Sequence, residues 1–110
     1  MKDLVWIDGL IVPADEARLP VYDRGFLYGD GIFETLRTYR QRIHALTAHL
    51  DRLQLSAQQI GLQLQWSHDE FTAILEELLE AGGFEESYLR LMVTRGVGRF
   101  GLPPDLSDEQ

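Results

Sequence analysis

The sequence predicts a two-layer α+β fold, in which a mostly antiparallel sheet carries two helices on one face. Apolar and polar residues alternate in several short segments, which is typical of strands. Two longer segments in the middle of the chain repeat their apolar residues with a helical period. The predicted order is strand, strand, strand, strand, helix, helix, strand, and 110 residues suffice for one small domain.

The first two strands are predicted to form a hairpin. Asp8-Gly9 separates two apolar runs, and this is a strong hairpin signal because both turn positions favour positive φ. A glycine-rich segment follows after a polar connection. There Gly25, Gly29 and Gly31 let the backbone bend sharply or approach a neighbour closely.

A third strand is predicted over residues 32–39, where side chains alternate between two faces. One face carries Phe33, Thr35, Arg37 and Tyr39, and the other carries Ile32, Glu34, Leu36 and Thr38. The chain is then expected to turn at residues 40–42 and to return as a fourth strand that ends near residue 46.

Two helices are predicted between residues 47 and 83. Thr47 is the predicted N-cap of the first helix, which runs to about Ile60. Its apolar face holds Leu50, Leu53, Ala57 and Ile60. The second helix begins with a capping box formed by Ser67 and Glu70 and ends at the glycine pair 82–83. Its buried stripe is Phe71, Ile74, Leu75 and Leu78.

The last predicted strand, residues 87–95, has two different faces. Leu89, Leu91 and Val93 are expected to pack on the helices. The other face is expected to border a cleft or solvent, and it carries Tyr88, Arg90, Met92 and Thr94. Residues 97–110 contain glycine, proline and acidic residues and are predicted to be a linker, which leaves residues 1–96 as the domain.

The composition excludes several classes of function. Eighteen acidic and ten basic residues give a net charge of −8, which argues against nucleic acid or an anionic membrane as partner. The chain has no cysteine, and its three histidines lack metal-ligand spacing, so no metal site is predicted. No apolar run approaches the roughly 20 residues of a membrane span. A cytoplasmic enzyme or module is expected.

The motifs DRGFLYGDGIFETLR, HLDRL, YLR and VTRG occur in this order along the chain. With them the chain resembles the class IV, pyridoxal-phosphate-dependent aminotransferases over Val5 to about Gly101. This family includes branched-chain aminotransferases, D-amino-acid aminotransferases and aminodeoxychorismate lyases. The resemblance covers the N-terminal domain of the family and implies the same two-layer fold.

The resemblance implies that Arg52, the arginine of HLDRL, binds the phosphate of pyridoxal phosphate. A planar guanidinium suits this task because it can donate two parallel hydrogen bonds to phosphate oxygens. A second interpretation is a surface arginine that pairs with Asp51 or Gln59. His49, at the start of the same motif, is interpreted as a packed side chain beside the apolar stripe.

The resemblance also implies a substrate pocket. The positions that match pocket residues of branched-chain aminotransferases are Tyr28, Phe33, Tyr88 and Arg90. The residue that matches Tyr28 reaches across a dimer interface in those enzymes. Thr35 is included in this set, although the branched-chain pattern has glycine there. From the residues alone, Phe33 and Tyr88 would be core aromatics.

Three further arginines lie beside glycines. Arg95 and Arg99 are either ligands of a substrate carboxylate, as comparable loop arginines are in D-amino-acid members, or solvated linker residues. Arg24 is expected to brace its own turn.

Lys2 is the sole lysine of the chain. Pyridoxal-phosphate chemistry needs a lysine that forms a Schiff base with the cofactor, and in the family this lysine lies in a C-terminal domain. The 110 residues do not reach that domain. The chain is therefore expected to contain no catalytic residue and to be inactive alone.

Three hypotheses follow for function. The first is the N-terminal domain of a homodimeric aminotransferase that moves an amino group between an amino acid, of branched-chain or D type, and a 2-oxo acid. The second is an aminodeoxychorismate lyase with the same cofactor. The third is a non-catalytic binding or dimerisation module.

Overall fold

The computed structural model describes residues 3–98 and the backbone of residues 107–109. Within these residues the strands are β1 Leu4–Ile7, β2 Leu10–Pro13, β3 Gly31–Tyr39, β4 Arg42–Ile43, β5 Ser87–Thr94, β6 Val97–Gly98 and β7 Ser107–Glu109. The helices are α1 Arg24–Tyr28, α2 Leu46–Gln59 and α3 His68–Gly82, with a 3-10 turn at Ala14–Glu16. None of the described helices combines the length and the apolar character that a membrane crossing requires.

The predicted two-layer arrangement is confirmed. A three-stranded antiparallel sheet in the order β4-β3-β5 carries α2 and α3 on its inner face. In the pairing of β3 with β5, Thr35 lies opposite Arg90 and Arg37 lies opposite Tyr88. The predicted sheet is divided, however, because among the described strands β1 and β2 pair with each other alone, and β1 lies beside α3.

The apolar core lies between the inner face of the sheet and the two helices. One cluster contains Ile32, Leu50, Leu53, Ala57, Leu62, Phe71 and Val93. A second contains Leu36, Leu75, Leu79 and Leu89. These clusters confirm most of the predicted helix faces, with two corrections. On α3, Ile74 and Leu78 are only half-buried, and Leu79 is buried instead because it lies one turn after Leu75 on the same face. Ile60 is exposed because α2 ends at Gln59 and the chain reverses at Gly61 (φ 65°), so that Leu62 fills the core instead.

The hairpin turns differ in their chemistry. Asp8 (φ 49°) and Gly9 (φ 85°) confirm the predicted first turn. In the second turn, Arg40 (φ 52°) and Gln41 (φ 63°) both occupy the left-handed region, although neither is glycine. This tight turn places β4 at residues 42–43 only, so the longer fourth strand predicted to end near residue 46 is wrong.

The two long helices begin in different ways. Thr47 is not the N-cap of α2, because the helix already starts at Leu46 after Ala45, whose φ is 54° and whose side chain makes no capping hydrogen bond. The predicted capping box of α3 is confirmed. The Ser67 hydroxyl accepts from the Glu70 backbone N–H at 3.1 Å, and the Glu70 carboxylate accepts from the Ser67 N–H at 3.0 Å.

The glycine-rich segment contains a one-turn helix, α1, which the sequence analysis did not predict. Asp23 caps it by accepting from the Gly25 backbone N–H at 2.8 Å. Gly25 and Gly31 are needed because the chain runs against β5. A Cβ at Gly25 would lie 2.3 Å from Thr94 Cγ2, and one at Gly31 would lie 2.8 Å from the Val93 carbonyl oxygen. The predicted close approach is thereby confirmed.

The segment predicted as a linker contains a short antiparallel pair. Val97 lies opposite Glu109 and Gly98 opposite Ser107. Residues 99–106 and 110 lie outside the described part of the chain, as do Lys2 and Arg99. The division into a domain of residues 1–96 and a linker of residues 97–110 stays a prediction.

Candidate functional site

A buried carboxylate lies at the centre of the candidate site. The alternation of β3 places Glu34 on its inner face, next to the apolar core, and its side chain is only 4% exposed. Arg52 of α2 reaches this carboxylate from the solvent side. Its Nε lies 3.1 Å from Oε1 and 2.9 Å from Oε2, and its Nη2 lies 2.7 Å from Oε1. The two groups therefore form a side-on, multiply bonded ion pair.

His49 completes this cluster from the same helix. It precedes Arg52 by three residues, a spacing that puts both side chains on one face of α2. Its Nδ1 lies 2.7 Å from Oε1 of Glu34. His49 is therefore hydrogen-bonded in the cluster, and its interpretation as a merely packed residue is wrong.

The electrostatics keep Glu34 and Arg52 ionised. Hydrogen bonds from Arg52 lower the pKa of Glu34, against the opposing effect of burial, and the hydrogen bond with His49 lowers it further. The hydrogen bond to Glu34 raises the pKa of Arg52. Both partners are therefore charged at neutral pH.

Within the part of the chain that the structure describes, one edge of the Arg52 guanidinium has no hydrogen-bond partner. A guanidinium has five N–H donors, and the pairing with Glu34 uses the Nε–H and one Nη2 hydrogen. The remaining Nη1–Nη2 edge lies on a side chain that is 64% exposed. The predicted pairing of Arg52 with Asp51 or Gln59 is wrong, because Arg52 pairs with Glu34 on β3.

The outer face of the sheet gathers most of the predicted substrate residues. Phe33, Thr35, Tyr88 and Arg90 lie on this face of β3 and β5. The guanidinium carbon of Arg90 lies 4.3 Å from the centre of the Phe33 ring. Phe33 is 54% exposed and Tyr88 is 70% exposed, so the interpretation of these rings as core aromatics is wrong.

Arg37 links the aromatic residues of the same face. Its guanidinium carbon lies 4.8 Å from the centre of the Tyr88 ring and 5.3 Å from that of Tyr39. It also donates a hydrogen bond to the Tyr88 hydroxyl. Arg37 thus fixes the orientation of Tyr88, and the sequence analysis assigned it no such role.

Tyr28 lies outside this outer face. It is the last residue of α1, and its ring centre lies 4.9 Å from the guanidinium carbon of Arg24. Tyr28 therefore belongs to a different element from the other four predicted substrate residues, which lie on β3 and β5.

A second buried ion cluster braces the fold. Arg24 is fully buried, which agrees with its predicted bracing role, and its Nε lies 3.2 Å from Oδ2 of Asp30. Arg95 donates to the same oxygen at 2.8 Å. Its Nη2 also donates to the Ile60 carbonyl at 2.8 Å, at the end of α2. Arg95 is thus a brace between the β3 entry and α2, and its interpretation as a solvated linker residue is wrong. Its role as a carboxylate ligand stays a prediction.

An apolar groove of about 1050 Å³ runs along β5 between β1 and α3. Tyr88, Arg90 and Met92 contribute to its lining, whereas Arg52 and Glu34 are not among its described lining residues. The groove therefore borders the outer face at Tyr88, Arg90 and Met92, and its described lining does not include Arg52.

Sequence reasoning missed Glu34 and Arg37. Glu34 is the one charged residue on the inner face of β3, and a carboxylate on an apolar face needs a partner. That signal was available from the alternation alone. The identity of the partner was not, because 18 residues separate Glu34 from Arg52.

Comparison with known proteins agrees with the motifs. The family described as amino-transferase class IV matches residues 31–110. A putative branched-chain-amino-acid aminotransferase of Methanocaldococcus jannaschii is 37% identical over 100 residues, which are 91% of this chain and 35% of that protein. A D-alanine aminotransferase of Staphylococcus aureus is 33% identical over 93 residues, 84% of this chain and 33% of that protein.

The fold has relatives among solved structures. The branched-chain amino acid aminotransferase of the organism abbreviated T.th., complexed with N-(5'-phosphopyridoxyl)-L-glutamate, superimposes with a TM-score of 0.86 and 25% identity over 97% of this chain and 37% of that one. The chain thus spans about a third of the length of these relatives. Motifs, fold and sequence match agree, and the chain belongs to the class IV aminotransferase family.

Proposed function

We propose that this chain is the N-terminal domain of a pyridoxal-phosphate-dependent aminotransferase, in which Arg52 anchors the cofactor phosphate. The observation that carries this proposal is the open edge of the Arg52 guanidinium, held in place by Glu34. Family membership supports the reaction class. The phosphopyridoxyl compound bound to the solved branched-chain relative supports the choice of cofactor.

The residues fit a phosphate group. The Nη1–Nη2 edge of Arg52 can donate two parallel hydrogen bonds to phosphate oxygens, and the exposed side chain gives a ligand access. The raised pKa of Arg52 keeps the donor charged at all ordinary pH values. Phosphate thus meets a cation that is already oriented.

The cofactor, when bound, supplies the electron sink for reaction at the amino-acid Cα. This chemistry needs a lysine that takes up and returns the proton at Cα, and the sole lysine of the chain is Lys2. We assign the reactive lysine to a further domain outside these 110 residues. In this assignment the present chain binds and orients the cofactor and the substrate, and none of its residues is catalytic.

The outer face of the sheet is the proposed substrate surface. Arg90 supplies a cation for a substrate carboxylate, while Phe33 offers an apolar ring beside it. Thr35 lies directly opposite Arg90 on the same face. The substrates are an amino acid and a 2-oxo acid, and the relatives act on branched-chain amino acids or on D-alanine by their names.

The proposal includes a homodimer in the cytoplasm. Tyr28 would then contribute to the site of the partner subunit, as the resemblance implies. Two large apolar side chains of the same segment support an interface here, since Val21 is 67% exposed and Phe26 is 68% exposed.

Turnover of a complete enzyme containing this region tests the proposed reaction. An aminotransferase consumes an amino acid only when a 2-oxo acid is present to accept the amino group. Product release from an aminodeoxychorismate-like substrate without any 2-oxo acid would identify a lyase instead. Absence of cofactor binding would favour the non-catalytic module.

A further inference from the structure

The proposed function leaves open why a phosphate-binding arginine should be paired with a carboxylate. We infer that Glu34 is a positioning residue for the phosphate ligand, because it holds the Nε side of Arg52 and directs the opposite edge outward. The inference rests on the proposed function, since it requires Arg52 to bind phosphate. His49 is a second positioning residue, because it is hydrogen-bonded to Glu34.

Glu34 limits the side-chain freedom of Arg52. An arginine side chain that is 64% exposed would sample many rotamers if it had no partner, and a ligand would have to order it on binding. Glu34 is 4% exposed, and its backbone lies in the middle of β3, paired with Leu91 of β5. A fixed carboxylate therefore orders Arg52 before the ligand arrives.

The Glu34 carboxylate is itself held in place by His49. Oε1 of Glu34 accepts from Arg52 and also lies 2.7 Å from Nδ1 of His49. Since an ionised carboxylate can only accept, Nδ1 must carry the proton of this hydrogen bond. His49 thus restrains Glu34 from the preceding turn of α2, and Glu34 in turn restrains Arg52.

Two effects of Glu34 oppose each other. Its negative charge offsets part of the attraction between Arg52 and a phosphate, whereas its hydrogen bonds orient the guanidinium. The carboxylate meets the Nε–Nη2 edge and not Nη1, so the ligand and Glu34 occupy different sides of the guanidinium. We expect orientation to outweigh charge, so that removing the carboxylate weakens phosphate binding by about tenfold.

The test uses the 110-residue chain with pyridoxamine 5'-phosphate as the probe. This compound lacks an aldehyde and so cannot attach covalently to Lys2 or to the N-terminal amine. Affinities are measured for the wild type, Glu34→Gln, Arg52→Met and the double variant. Glu76→Gln is the matched control, since Glu76 is exposed on α3. Pyridoxamine without phosphate shows which part of the affinity belongs to the phosphate.

The expected result is a loss of about tenfold for Glu34→Gln, with Glu76→Gln equal to the wild type. The double variant should bind no more weakly than Arg52→Met, because Glu34 acts through Arg52. A purely structural role would instead give additive losses, and additive losses overturn the inference. So does a Glu34→Gln variant that binds as well as or better than the wild type. If Arg52→Met binds like the wild type, the proposed phosphate site itself fails.

A second measurement needs no folded variant. In nitrogen-15 spectra of the wild type, the Arg52 Nε–H signal should be visible and protected, and inorganic phosphate should leave it in place while shifting the Nη signals. An Nε–H signal that moves or exchanges away on phosphate addition would show that Arg52 leaves Glu34 to bind. That outcome overturns the inference even if Glu34→Gln does not fold.

Discussion

Arg90 on β5 holds its guanidinium carbon 4.3 Å from the ring centre of Phe33 on β3. The pairing of these strands sets the contact, because Thr35 lies opposite Arg90 and Met92 lies opposite Phe33. A cation beside an exposed aromatic ring suits a ligand with a carboxylate and an apolar side chain. This contact is the basis of the substrate assignment.

Replacing Arg90 with methionine should therefore weaken substrate binding in a complete enzyme and leave the cofactor bound. Methionine keeps much of the apolar stem but removes the charge. Loss of a charge-assisted hydrogen bond corresponds to about tenfold to hundredfold in the amino-acid half-reaction. Single-turnover rates with saturating cofactor measure this effect. Equal half-reaction rates for Arg90→Met and the wild type would contradict the assignment.

The chain alone should not catalyse amino transfer. Its sole lysine is Lys2, which is far in sequence from every motif of the site. Purified chain is incubated with pyridoxal phosphate, an amino acid and a 2-oxo acid, and the new amino acid is measured. Turnover above that of the free cofactor would contradict the need for a further lysine-bearing domain.

The chain alone should also self-associate. Val21 and Phe26 expose large apolar surfaces on one short segment, and exposed apolar patches promote association. Sedimentation velocity over a range of concentrations should show species larger than a monomer, and Phe26→Glu should reduce them. Leu55→Glu on α2 is the control, because Leu55 is also exposed. A wild-type chain that stays monomeric at high concentration would contradict this expectation.

Much of the fold could be predicted from local patterns. Alternation on β3 and β5 separated the inner from the outer face, and Ser67 with Glu70 marked the start of α3. Other features depend on backbone contacts between distant segments. The turn at Arg40 and Gln41 carries no glycine, and its Gln41 N–H donates to the Glu85 carbonyl, which local propensity could not indicate.

The candidate site could be predicted only in part from the sequence. The resemblance identified Arg52, but the partner that orients it lies 18 residues earlier on a different element. Glu34 shares β3 with Phe33 and Thr35, and its period-two position points it to the opposite face. Pairing across two layers is a tertiary property, so only the structure reveals it.

The Glu34 cluster should make stability depend on pH. The pKa of Glu34 is lowered from its ordinary value of 4.5, mainly by hydrogen bonds from Arg52. The ionised form is thus favoured in the folded state, so this stabilisation is complete above about pH 4.5 and is lost as the pH falls through the lowered pKa.

Urea unfolding of the wild type and Glu34→Gln between pH 7 and pH 3 measures this contribution. The wild type should be more stable at pH 7, and the difference should shrink as the pH falls below 4.5. Glu76→Gln serves as control, because it removes an exposed carboxylate of α3. A difference between wild type and Glu34→Gln that stays constant over this pH range would contradict the ionised pair.

The affinity of the Arg52→Met chain for pyridoxamine 5'-phosphate tests the central claim most directly. Arg42→Met, which removes an exposed arginine on β4, is the matched control. The account predicts a tenfold to hundredfold loss for Arg52→Met, no loss for Arg42→Met, and no difference between the variants for pyridoxamine lacking the phosphate. Wild-type affinity in Arg52→Met would contradict the phosphate anchor.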